Sequence, residues 1–88
     1  MNTVNLDLRR LGRQLEDRLG ESNVEVALDY INHNEIGLAL TILLDQVIES
    51  DAQISDYEYS EFSALAGKLG ISIDDKDLAY LRSLVGDS

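Results

Sequence analysis

Leu8, Leu11, Leu15 and Leu19 follow one another at steps of three and four, the spacing that gathers apolar side chains on one side of an α-helix. The same period runs through the rest of the chain and predicts five helices. The first covers residues 4–19 and is stopped by Gly20, placed where a left-handed cap is wanted. Ser22 and Glu25 have the Ser-x-x-Glu spacing of a capping box and open a second helix over residues 22–32, with Val24, Ala27, Leu28 and Ile31 inward. Asn32-His33-Asn34 is a break, and Asn34 caps a third helix over residues 35–50. Ser55 and Glu58 repeat the capping-box spacing for a fourth, whose inward stripe is Phe62, Leu65, Ala66 and Leu69 and whose stop is Gly70. Asp74 with Asp77 opens the last, which carries Leu78, Leu81, Leu84 and Val85 and ends at Gly86. Gly70-Ile71-Ser72-Ile73 is the only strand candidate; it has no partner run and reads as a loop.

The third helix differs from its neighbours. Ile36, Leu38, Ala39, Leu40, Ile42, Leu43, Leu44, Val47 and Ile48 cover most of its circumference, and only Thr41, Asp45 and Glu49 form a polar stripe. A helix apolar nearly all round belongs inside a bundle. The expected fold is therefore all-α, a bundle of about five short helices around a central, largely buried third one, in a single domain over residues 1–88. No apolar run reaches the roughly 18 residues of a membrane span, and no signal-like start is present, so a soluble cytoplasmic domain is expected.

Charge changes the picture more than composition does. Seven Lys and Arg face 17 Asp and Glu, a net of −10. Residues 1–19 set four arginines against three acids, whereas residues 20–88 set Lys68, Lys76 and Arg82 against fourteen. Between Arg18 and Lys68 there is no Lys or Arg. Phosphate backbones and anionic membranes are bound by Lys and Arg, so direct nucleic-acid and membrane partners are disfavoured. Glu25–Asp29 and Asp45–Glu49 place like charges at i, i+4, which costs a few tenths of a kcal/mol each. The plain reading of this acidity is solubility; the functional one is a field of one sign, suited to a basic protein surface.

Catalytic chemistry finds little purchase. His33, the single histidine, sits between two asparagines with no serine placed beside it, and no Gly-x-Ser-x-Gly elbow occurs. There is no cysteine, hence no thiol nucleophile and no thiolate metal site. The stretch ending at Glu58 resembles the end of a calcium loop, but position one would be Val47 and position six Ala52, where Asp and Gly are required. No phosphate cradle appears. The only Asp-Ser, Asp87-Ser88, has no helix after it to serve as a carrier-protein attachment site. No enzyme, metal or cofactor is expected. Tyr57 falls on the outward stripe of the fourth helix with Glu61, and Tyr59 on the inward side with Phe62. An exposed tyrosine among carboxylates is a common interface anchor.

The segment Leu28-Asp29-Tyr30-Ile31-x-x-Asn34-Glu35-x-Gly37-Leu38-Ala39-Leu40-x-x-Leu43-x-Asp45 resembles the MafI-type immunity proteins and related immunity proteins of contact-dependent growth inhibition systems. Ile54-Ser55 and Leu65-Ala66-x-x-Leu69-Gly70-Ile71 are similar to the next helix of that family, so the likeness covers about residues 27–71. The arginine-rich start and the end after Val85 lie outside it. The resemblance implies a cytoplasmic antidote that binds one cognate toxin domain, often a nuclease, and blocks it. It carries no catalytic residues over. From charge, the expected toxin-binding surface is Glu35, Asp45, Glu49, Asp51, Asp56, Tyr57, Glu58 and Glu61, with Glu35 also suited to the positive end of the third helix's dipole. The competing classes are a small metal-binding sensor and an adaptor for some other basic protein.

Overall fold

The computed structural model describes residues 3–86. Six helices follow in order: α1 (Thr3–Gln14), α2 (Glu16–Leu19), α3 (Glu21–Asn32), α4 (Ile36–Ser50), α5 (Asp56–Lys68) and α6 (Asp75–Ser83). The described residues are all-helical in class, and the predicted loop at Gly70–Ile73 carries no strand. One isolated parallel bridge joins Ile54 to Val85, with the Ile54 amide donating to Leu84 O and the Gly86 amide to Ile54 O.

The sixth helix arises because the first predicted one breaks at Leu15. The Leu15 amide is shared between the carbonyls of Leu11 and Gly12, and the Arg18 amide turns to Leu15 O. The carbonyl of Gln14 instead receives Arg18 Nη2, at 2.5 Å. A side chain has entered the i→i−4 ladder, one of the recognised causes of a kink.

Helix ends follow local chemistry, not always the chemistry expected. Gly20, at φ +93° and ψ 140°, lies in a region that side-chain-bearing residues avoid, and it joins α2 directly to α3. That starts α3 one residue early, leaves Ser22 inside the helix, and the predicted Ser22–Glu25 capping box does not form. Asn34 does not cap α4 either. It takes the left-handed conformation (φ +64°) and closes α3, with its amide on Ile31 O and that of Glu35 on Tyr30 O. Glu35 is then the N-cap of α4, without a side-chain bond. Asp51 (φ +53°) closes α4 in the same way. Gly70 closes α5, as predicted. At α6, Asp74 holds the N-cap position but makes no side-chain cap.

The core runs through every helix: Leu8 and Leu11 of α1, Leu19 of α2, Val24, Ala27 and Leu28 of α3, Leu40, Leu43 and Val47 of α4, Phe62 and Leu65 of α5, and Leu81 of α6. Central α4 contacts all five others. It is not wrapped all round, however. Ile36, Ile42 and Ile48 are only partly buried, and Leu38 is 43% exposed beside Thr41, Asp45 and Glu49. Five flanking helices, one of them a single turn, leave one long side of α4 uncovered.

Candidate functional surface

The Ser55–Glu58 capping box forms in full. The Glu58 amide donates to Ser55 Oγ at 3.0 Å, and the Ser55 amide donates to Glu58 Oε1 at 2.9 Å. Into the same carboxylate Arg18 Nη1 and Nη2 donate at 2.6 and 2.9 Å. Arg18 also donates to Gln53 O and, through Nε, to Asp17. Glu58 is 5% exposed and belongs to the frame, not to the acidic surface where the charge argument placed it. Burial raises its carboxyl, but the Arg18 hydrogen bond and the Ser55 amide together hold it below the ordinary range. The same pairing raises the Arg18 guanidinium. Both Glu58 oxygens are thus engaged, which leaves the calcium-loop reading without its bidentate ligand. Among the described residues no group of three or more His, Asp or Glu is arranged to hold a metal ion.

Bases from outside the base-free stretch reach into it elsewhere. Arg13 pairs with Glu16 and Glu25, each at 2.5 Å, so Glu25 is not the unrelieved like-charge neighbour of Asp29 that its spacing implied. Arg9 donates to Asn32. Arg82 pairs with Asp56 at 2.7 Å and stands 5.2 Å over the Tyr59 ring, so Asp56 is exposed yet neutralised. Sixteen acids lie in the described residues; Asp7, Glu16, Asp17, Glu25, Asp56 and Glu58 meet Lys or Arg, and ten do not.

Of the remaining candidates, Asp45 and Glu49 share the exposed side of α4, one turn apart. Glu35 is exposed at the opposite end of that helix, about 24 Å along the axis from Asp51 at a rise of roughly 1.5 Å per residue. Asp51, Asp56 and Tyr57 gather at the corner between α4 and α5; Tyr57 is 54% exposed, and Glu61 lies partly exposed one turn further along α5. The eight residues thus make a long acidic side on α4 and a separate corner, with one member buried.

Two neighbours that the charge pattern missed complete the corner. Tyr80 Oη donates to Asp51 Oδ1, and Arg82 meets Asp56. Both come from α6, and no local spacing ties them to the corner. Behind Tyr80 lies an open hollow of about 480 Å³ lined by Ile48, Lys76, Asp77, Ala79, Tyr80 and Ser83. The hydrogen bond to Asp51 raises the Tyr80 hydroxyl above its usual 10. A raised acid is favoured in its protonated form by folding, so the contact holds below pH 10 and is lost as pH climbs through the higher folded value. Ultraviolet titration of Asp51→Asn is expected to move one tyrosine transition downward relative to the parent; superimposable curves would show that the contact does not persist in solution.

No family model matches this chain, and neither a curated protein nor a solved structure does. No helix among the described residues is long and apolar enough to cross a membrane.

Proposed function

We propose that this chain is an immunity protein that binds a cognate toxin domain, a nuclease, and neutralises it by covering its basic active-site cleft. The observation that carries the reading is the distribution of uncompensated charge. The arginines of α1 and α2 turn onto Asn32 and neighbouring carboxylates, while α3 and α4 contribute no base at all. Asp45, Glu49 and Glu35 are left without a cationic partner along an exposed side of α4, and Asp51 continues the negative field around its end. A nuclease needs a positive cleft to hold phosphates, and a surface of opposite sign steers association toward about 10⁸–10⁹ M⁻¹s⁻¹ at low salt. The likeness of residues 27–71 to immunity proteins of contact-dependent growth inhibition supports the same role. Chemistry is not required of the protein; it acts by occupying the cleft at one to one.

On this reading a large secreted protein ending in a small basic domain is expected to be encoded beside this gene, and that domain is the partner for the test. Asp45→Lys with Glu49→Lys is expected to leave thermal unfolding nearly unchanged, because both side chains are exposed. Stopped-flow association with that domain is expected to slow roughly tenfold or more at low salt, with the gap closing as salt rises. Association as fast as the parent's at low salt would remove the electrostatic basis; a domain whose nuclease activity is untouched by an equimolar amount of this chain would remove the function.

A further inference from the structure

We infer that the toxin-facing surface is centred on the outer seam between α3 and α4, and that its occupant is a basic amphipathic helix of the partner. This rests on the immunity reading and deepens it by naming the partner element.

The seam follows from one contact. Gln46 Nε2 of α4 donates to Asn23 O of α3, at 2.9 Å, and sets the two helices antiparallel in a fixed register. Val26 and Tyr30 lie on the Asn23 row of α3, at i+3 and i+7, and Ile42 and Leu38 lie on the Gln46 row of α4, at i−4 and i−8. The two rows therefore flank the same outer groove. Val26 is 57% and Leu38 43% exposed, the largest open values for aliphatic residues on these helices, and Tyr30 and Ile42 are partly buried between them. Exposed apolar residues scattered singly need no account, but these two flank one groove with the partly buried Tyr30 and Ile42 beside them, a stripe suited to a contact surface.

What covers that seam is constrained by its rim. Asp45 stands at i+3 and Glu49 at i+7 from Ile42, both exposed and both without a cation among the described residues. A second copy of this chain would bring the same carboxylates against each other in the absence of any base on either helix, and an anionic membrane would be repelled likewise. An apolar stripe edged by one sign of charge fits an element with the opposite edge. A helix with Leu-like residues on one face and Lys or Arg beside them is an element of that kind.

The probe is a peptide of about five helical turns built only from Leu and Lys in i, i+3, i+4 order, with a scrambled peptide of the same composition beside it. Titrated into the full chain, the ordered peptide is expected to bind at least roughly tenfold tighter than the scrambled one, with amide shifts concentrated on α3 and α4. Val26→Ser with Leu38→Ser is expected to weaken it roughly tenfold, and Asp74→Asn with Asp75→Asn, at the start of α6, less than about twofold. Equal binding of both peptides, or an unweakened Val26→Ser/Leu38→Ser variant that melts like the parent, would overturn the seam. Full inhibition of the toxin domain by that same variant would also overturn it and leave the immunity reading standing. Ordered-peptide binding at the seam together with indifference to every basic toxin domain tested would do the reverse.

Discussion

Arg18→Met is expected to destabilise the fold by about 2–4 kcal/mol, measured by urea unfolding at neutral pH. Glu58 is 5% exposed and receives two hydrogen bonds from Arg18; methionine keeps much of the side-chain volume and leaves the carboxylate without its counter-charge. Removing one member of a fully buried pair costs about 3–5 kcal/mol, and the 27% exposure of the Arg18 side chain places this case lower. A domain of 88 residues holds only about 4–13 kcal/mol in total, so the variant is expected to melt some 10–25 °C earlier. The pH dependence supplies a second check. Because the folded state holds the Glu58 carboxyl below its ordinary 4.5, the pair's stabilisation is present above that value and is lost as pH falls through the lower folded one. The gap between parent and variant is therefore largest at neutral pH and narrows in acid. Equal stabilities at pH 7, or a gap that stays constant in acid, would show that the pair does not hold α2 to α5.

What sequence spacing could and could not reveal is visible in the two capping boxes. Ser55–Glu58 forms with both reciprocal bonds in place, and Arg18 holds the same carboxylate from across the bundle. Ser22–Glu25 has identical spacing and failed, because the Gly20 backbone begins the helix earlier and Glu25 is drawn across to Arg13 on α1. Helix identity and inward faces were legible, since they depend on neighbours three and four residues away. The break at Leu15 was not, because it depends on where the Arg18 guanidinium goes, and that is fixed by Glu58, 40 residues later. The same limit governs the candidate surface. Exposure of Asp45, Glu49 and Tyr57 could be read from helical period, but the neutralisation of Asp56 by Arg82 and the loss of Glu58 to the interior are tertiary events. Leu38 went the other way: its composition-based place was inside, and its exposure appears only once α4 is seen to lack a cover on that side.

Phe62→Ala is expected to cost about 3–5 kcal/mol by the same measurement, enough to leave the domain near its unfolding threshold. Phe62 is the chain's one phenylalanine and is 0% exposed, on a helix that packs against both α1 and α4. In so small a core, removing the ring leaves a cavity that three helices must close at once, and a partial collapse keeps the loss near the upper end of that range. Phe62→Leu restores most of the lost volume and is expected to recover a large part of it. Phe62 also lies one turn beyond Glu58 on α5, so the two prominent variants act on neighbouring turns of one helix. Combining Arg18→Met with Phe62→Ala is expected to cost less than the separate losses added together, because the α5 start released by the first no longer holds the ring that the second removes. Strict additivity would mean that the ion pair and the aromatic core act independently. Phe62→Ala is expected to bind partner normally at temperatures where it remains folded, since the exposed residues of α3 and α4 are untouched; a binding loss without unfolding would place the docking face on α5 instead.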